Sequence, residues 1–220
     1  MKKEIITTSD GSETLYLPEF DETYHSKFGA IREAYHVFIE NGLGLFKNRP
    51  VSILEMGFGT GLNTFITYIE SNRESQKIHY TSIDAYPLLF DEAVKMNYGQ
   101  LLKDGKEYSA FNKIHSCGWE IENKLSDNFI LIKKQQFFDT INIESAFDLI
   151  YFDAFSYRVQ PELWSLEMFK KMYLTLKPNG VLVTYACRKI IKNAMLGAGF
   201  NIEVLPGPLG RREMLRAIKS

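Results

Sequence analysis

The stretch Ile53-Leu54-Glu55-Met56-Gly57-Phe58-Gly59-Thr60-Gly61-Leu62-Asn63 decides the fold. An apolar run ends in a carboxylate, three glycines follow at alternate positions, and an amphipathic segment begins at Leu62. That order predicts a buried strand, a sharp turn under a flat ligand, and the start of a helix. Glu55 stands just before the glycines, where its charge would repel a pyrophosphate seated on the helix N-terminus. The Gly-x-Gly-x-Gly spacing also lacks the two-residue step of the dinucleotide fingerprint Gly-x-Gly-x-x-Gly. Both features favour a cationic, hydroxyl-bearing ligand over the nicotinamide and flavin dinucleotides, the main competitors for a glycine-rich turn.

Working outward, Val51–Glu55 is expected as the first core strand, 62–71 as its helix, and Ile78–Asp84 as the second strand, a βαβ unit of ordinary length. Asp84 closes that strand where nucleotide-binding folds place the acid that takes ribose hydroxyls. Further strands are expected at 129–133, 147–153 and 180–185, with helices over 87–96, 162–176 and 190–198. The last two strands, 200–205 and 212–218, flank Pro206-Gly207-Pro208-Leu209-Gly210 and read as an antiparallel edge pair. Upstream, residues 1–20 read as a hairpin and 29–40 as a helix stopped by Asn41-Gly42, so 21–50 is a helical lead-in to a core over 51–220. The expectation is a single α/β domain: a Rossmann-like, mostly parallel sheet of the S-adenosylmethionine-dependent methyltransferase type, with an antiparallel C-terminal hairpin.

Composition agrees with one generous domain: 220 residues, 45% of them apolar. Two cysteines, Cys117 and Cys187, offer neither a Cys-x-x-Cys pair nor a disulfide framework, and no metal site is expected. The N-terminus turns polar too early for a signal peptide, which points to the cytoplasm. Formal net charge is −1, but residues 161–220 carry 10 Lys+Arg against 4 Asp+Glu and the rest 16 against 23. A basic C-terminal quarter suits a polyanion, and it also arises from solvated helix faces.

In such a sheet the ligand sits outside the carboxyl ends of the strands, at the point where strand order reverses. That rule selects Glu55, the glycine turn, Asp84 and Asp153. For S-adenosylmethionine, Gly57, Gly59 and Gly61 would admit the methionine portion, Asp84 would accept from the ribose diol, and Glu55 would face the ammonium and sulfonium charges. Asp153 follows the apolar strand Asp148-Leu149-Ile150-Tyr151-Phe152; it is either a helix cap or a carboxylate that holds a primary amine beside the transferring methyl. Phe155 and Tyr157 would shape a pocket for a flat base, and Lys189, Lys192, Arg211 and Arg212 either hold phosphates or are ordinary exposed cations.

These segments together resemble the methyltransferase domain of the bacterial tRNA-modifying family that completes 5-methylaminomethyl-2-thiouridine at the wobble position. The resemblance rests on Tyr24-His25-Ser26, Gly29-Ala30 with Glu33-Ala34, His36-Val37-Phe38-Ile39, the 55–63 turn, and Tyr86-Pro87-Leu88. It continues through Tyr151-Phe152-Asp153-Ala154-Phe155, Gln160-Pro161-Glu162-Leu163-Trp164, Ala198-Gly199-Phe200 and Gly207-Pro208-Leu209-Gly210-Arg211-Arg212-Glu213-Met214-Leu215. It implies methyl transfer from S-adenosylmethionine to the primary amine of 5-aminomethyl-(2-thio)uridine in tRNA. Asp153 would then be the acid nearest the amine, Asn63 and Gln136 would join the donor site, and Tyr24, Phe155, Tyr157, Lys192, Arg211 and Arg212 would meet the acceptor.

Three departures follow. Many relatives carry a second, flavin-dependent domain, so this chain is expected to act as a stand-alone methyltransferase supplied by a separate enzyme. After the third strand, Leu131–Asp139 lacks a Gly-Asp pair for the adenine amine; Gln135, Gln136 or Asp139 would substitute. The 187–192 region is shortened and lacks a glycine. Methylation of a small molecule or protein on the same scaffold, and a binding module without turnover, are the competing readings.

Overall fold

The computed structural model describes residues 2–102 and 105–220, with the backbone alone over 105–108. An N-terminal three-stranded antiparallel sheet, β1 (Glu4–Thr7), β2 (Glu13–Leu17) and β3 (Glu22–Thr23), precedes helix α1 (Ala30–Ala34). The expected hairpin is present, with Ile5 opposite Leu15; the two-residue β3 that extends it was too short to show a period. Helix α1 runs on as a π-helical segment, Tyr35–Glu40, because Asn41 donates both its backbone amide and its Nδ2 to the His36 carbonyl.

The main sheet follows as β4 (Val51–Met56), α2 (Leu62–Arg73), β5 (Ile78–Asp84), α3 (Phe90–Ala93), α4 (Tyr98–Leu101), α5 (Gly105–Ser116), β6 (Glu122–Lys124), β7 (Phe129–Gln135) and β8 (Phe147–Phe152). It closes with α6 (Leu166–Thr175), β9 (Leu176–Thr184), α7 (Lys189–Gly197), β10 (Asn201–Pro206) and β11 (Glu213–Ile218). Strand order is β10-β11-β9-β8-β4-β5-β7-β6, parallel from β9 through β7 and antiparallel at both ends. β11 lies between β9 and β10, so only β10 of the closing pair is an edge. β4 and β8 sit at the centre with helices on both faces, which is why Leu149, Ile150, Tyr151 and Phe152 are all fully buried.

Several boundaries move for local reasons. Pro87 delays the expected 87–96 helix, leaving only α3. The 162–176 helix is split: Pro161–Trp164 forms a 3₁₀ turn, and Ser165 starts α6 afresh by accepting from the Met168 amide at 3.2 Å. β9 begins four residues early, across a register shift opposite Phe147. Helix α5, not expected from the sequence, buries Phe111 and Ile114 against the core.

Candidate active site

Chain order reverses between β4 and β8, so the carboxyl ends of these two strands diverge around a crevice. They are stitched where they part: the Asp153 amide donates to the Met56 carbonyl at 3.0 Å. Gly57 takes φ 103°, and a Cβ there would lie 2.6 Å from the Asp153 carbonyl oxygen, so the crossing of the strand ends demands a residue without a side chain. At Gly61, φ 72°, a Cβ would meet His115 Nε2 at 2.6 Å. His115 is packed there because its Nε2–H donates to the Thr60 carbonyl at 3.0 Å. The turn is also held from the other side. Tyr98 donates to Thr60 Oγ1 at 3.3 Å, leaving the threonine hydroxyl to donate to His25 Nε2 at 2.7 Å. Burial, joined at His115 by the Lys133 charge, pushes both imidazoles down to about 4, so both are neutral props.

A cavity of about 1030 Å³ opens at these strand ends. Its lining holds seven carboxylates against three cations, Lys3, Lys171 and Arg211. Asp84 Oδ2 accepts from the Gly59 amide at 2.9 Å and Oδ1 from the Tyr86 amide at 2.8 Å, which fixes both oxygens at the cavity wall. Asn63, on the first turn of α2, donates from Nδ2 to Asp153 Oδ2 at 2.8 Å; its own Oδ1 is buried with no hydrogen-bond partner among the described residues. Burial first, and then the neighbouring Glu33 charge, raise the Asp153 carboxyl to about 7, against the opposing pull of Asn63 and Arg211. Glu33 is itself buried, accepting from the Ser26 amide at 2.8 Å and from Arg211 Nε at 3.0 Å. The Arg211 guanidinium lies 4.3 Å from the centre of the Tyr185 ring. Tyr24 meets Phe155 edge-on, centroids 5.0 Å apart, and both rings line the cavity.

The structure therefore gathers Gly57, Gly59, Asn63, Asp84, Asp153, Tyr24, Phe155 and Arg211 around one space. Other expectations need correction. Glu55 is fully buried outside the cavity: it points toward α2, and its Oε2 takes the hydroxyls of Thr64 at 2.8 Å and Ser82 at 2.5 Å. It pins β4, β5 and α2 together, and burial raises its carboxyl to about 8. Gly61 serves packing against His115 and does not line the cavity. Gln135 reaches the wall in place of Gln136, because β7 runs on through Gln135, the register partner of Asp84. Tyr157 is turned off the wall by the tight turn at 156–159 and carries Arg188 over its ring at 5.7 Å. Lys192 faces Glu213 at 3.6 Å and lies off the cavity wall, and Arg212 is exposed beyond the cavity. Arg211 is no free phosphate hook, since Glu33 holds it. Sequence reasoning gave no role to Glu33 or Tyr185; the available signal was a carboxylate between Ala30 and Ala34 on the apolar face of a helix.

A family model described as S-adenosyl-L-methionine-dependent methyltransferase matches residues 120–220. The tRNA 5-methylaminomethyl-2-thiouridine biosynthesis bifunctional protein MnmC of Cupriavidus metallidurans is 27% identical over 96% of this chain and 33% of its own length. Its namesake from Campylobacter fetus is 28% identical over 92% of this chain and 34% of its own. The chain thus spans about a third of the curated relatives it matches. Among solved structures, MnmC2 from Aquifex aeolicus superposes with a TM-score of 0.75 at 24% identity, covering 98% of this chain and 69% of that one. The chain is similar over nearly its whole length to the methyltransferase portion of the MnmC proteins, and it shares the fold of MnmC2. A methyltransferase from Pyrococcus furiosus shares the fold more distantly, with a TM-score of 0.53 at 18% identity, covering 93% of this chain and 91% of that one.

The matching family model is of S-adenosyl-L-methionine-dependent enzymes, and the residues present fit that donor. Gly57 and Gly59 present bare backbone to the cavity, the unpartnered Asn63 Oδ1 waits for a donor, and the carboxylate-rich wall matches a ligand carrying a sulfonium and an ammonium. No described helix is long and apolar enough to cross a membrane.

Proposed function

We propose that the MnmC-like chain methylates the primary amine of 5-aminomethyl-(2-thio)uridine at the wobble position of tRNA, in the cytoplasm, giving the methylaminomethyl base. The observation that carries the proposal is Asp153: a half-buried carboxylate held by Asn63 at the strand-reversal point, with its proton affinity lifted close to neutrality. The names of the relatives supply the tRNA nucleoside.

Bound, the donor supplies an electrophilic methyl carbon on a positive sulfur. Asp84, with both oxygens already fixed by backbone amides, uses its remaining lone pairs on the ribose hydroxyls. Asn63 Oδ1 would accept a hydrogen bond from the donor's ammonium, and Gly57 and Gly59 would line the methionine portion. Gln135, on the cavity wall, would meet the adenine edge. On the acceptor side the Tyr24–Phe155 ring pair would form one wall against the flat base. Asp153 Oδ2 is committed to Asn63, so the other oxygen accepts the proton that the substrate ammonium must lose. The freed nitrogen lone pair forms the N–CH₃ bond as the C–S bond pair returns to sulfur, and the Asp153 proton passes to solvent.

The polyanion stays outside the acidic cavity. Arg188, Lys189 and Arg212, all exposed, are the proposed phosphate contacts, and binding through them weakens with salt. The test is transfer of labelled methyl from S-adenosylmethionine to tRNA from cells lacking this activity. Label in the tRNA supports the proposal. Label only in protein or small molecules of an RNA-depleted extract favours another acceptor, and donor binding without transfer favours a binding module.

A further inference from the structure

The cavity wall carries an ion pair, buried at its carboxylate and exposed at its guanidinium, that donor binding does not use. Glu33 lies on α1 and Arg211 on the turn between β10 and β11, 178 residues apart in sequence, yet they meet at 3.0 Å on the cavity wall. Burying the Glu33 carboxylate costs desolvation, and replacing such a group by a packed apolar side chain is often neutral or better for stability. The architecture nevertheless invests in it. Ser26 donates its amide to the second Glu33 oxygen, and Tyr185, anchored by its hydroxyl to the Ala154 carbonyl at 2.9 Å, presents its face to the guanidinium. Ala154 is the residue after Asp153, so the pair is braced against the strand end that carries the proposed base.

We propose that Glu33 and Arg211 are a positioning pair acting through Asp153, with the Glu33 charge strengthening Asp153 as the acceptor of the amine proton and Arg211 limiting that effect. The inference rests on the methylation of an amine proposed above. Its electrostatic logic follows from what surrounds Asp153. From α2 comes Asn63, which is uncharged; from α1, Glu33; from the β10–β11 turn, Arg211. Tyr185 follows β9 and feels the Asp153 charge, and Glu55, buried in β4, is coupled to Asp153 as a like charge. Of these, Glu33 and Arg211 are the pair of opposite sign, and their influences on Asp153 run in opposite directions. A strong base is needed because an alkylammonium holds its proton well above neutrality, and Asp153 without a neighbouring anion is a weaker base.

The experiment is a carboxyl ¹³C NMR titration of Asp153 in the protein saturated with S-adenosylhomocysteine, for wild type, Glu33→Gln and Arg211→Met, alongside the pH dependence of kcat on aminomethyluridine tRNA. Glu33→Gln retains an oxygen for the Ser26 amide and moves the Asp153 midpoint to lower pH. Arg211→Met moves it to higher pH. The acid limb of kcat moves with each midpoint, and Glu33→Asp restores the wild-type limb. Midpoints that stay fixed, or that move the same way in both variants, overturn the inference, because a pair that only holds the fold together does not shift one carboxyl in opposite directions. Should Glu33→Gln fail to fold, Arg211→Met alone decides: an unmoved or lowered midpoint refutes. Because the titration needs no acceptor, a wild-type protein that leaves tRNA unmethylated refutes the assigned reaction separately.

Discussion

Asp153→Asn should give a protein that is more stable and nearly inactive. The wild-type carboxyl is raised to about 7, against an unfolded value near 3.8. A carboxyl raised on folding holds its proton more tightly in the native state, so its stabilising contribution is complete below the unfolded value and is lost as pH climbs through 7. Three pH units at 1.36 kcal/mol each set a ceiling of about 4 kcal/mol on the cost of ionised Asp153 at pH 8. Asparagine has no proton to lose and still accepts from Asn63 Nδ2. The variant should therefore gain about 1–4 kcal/mol at pH 8, several degrees in Tm for a chain of this size, and less at pH 5. kcat should fall by about 10²–10⁴ through loss of the proton acceptor. Thermal unfolding at the two pH values, with single-turnover methyl transfer at pH 8, measures both. A Tm gain identical at pH 5 and 8, or an undiminished kcat, would refute the reasoning.

Other perturbations test neighbouring parts of the site. Gly57→Ala forces a Cβ to within 2.6 Å of the Asp153 carbonyl oxygen at φ 103°, which should cost about 1–3 kcal/mol and weaken S-adenosylhomocysteine binding, read by calorimetry. Asp84→Asn puts a donor where the Gly59 and Tyr86 amides need acceptors and weakens the ribose contact; donor affinity should fall at least tenfold while isolated tRNA binding is spared. His25 and His115 titrate at about 4 in the fold against 6.5 unfolded, so the unfolded chain binds more protons between those values and stability falls as pH drops from 6.5 toward 4. His115→Gln should flatten that slope in denaturant titrations. The KM for tRNA should rise steeply with salt, and Arg212→Ala should reduce that slope while leaving donor affinity alone.

The sheet was readable because each central strand is an apolar run ended by a turn or an acid, and the 53–63 turn names its own place in the topology. The acids that end strands, Asp84 and Asp153, were readable for the same reason. Glu55 misled because spacing locates a residue at a strand end without saying which face it takes, and its partners Thr64 and Ser82 are brought to it by α2 and β5. Gln136 misled by one residue because β7 runs two residues past its expected end. Glu33 and Arg211 lie far apart in sequence, and only the packing of α1 against the C-terminal turn makes them one unit. Tyr185 joins them through a ring face, a contact with no sequence period.

The most direct test of the central claim is mass analysis of nucleosides from tRNA bearing 5-aminomethyl-(2-thio)uridine, incubated with the purified chain and S-adenosylmethionine. The wobble nucleoside should be replaced by one heavier by a single methyl on its side-chain nitrogen, with S-adenosylhomocysteine formed in equal amount. An unchanged aminomethyl base, or a methyl on any other nucleoside, would contradict the account.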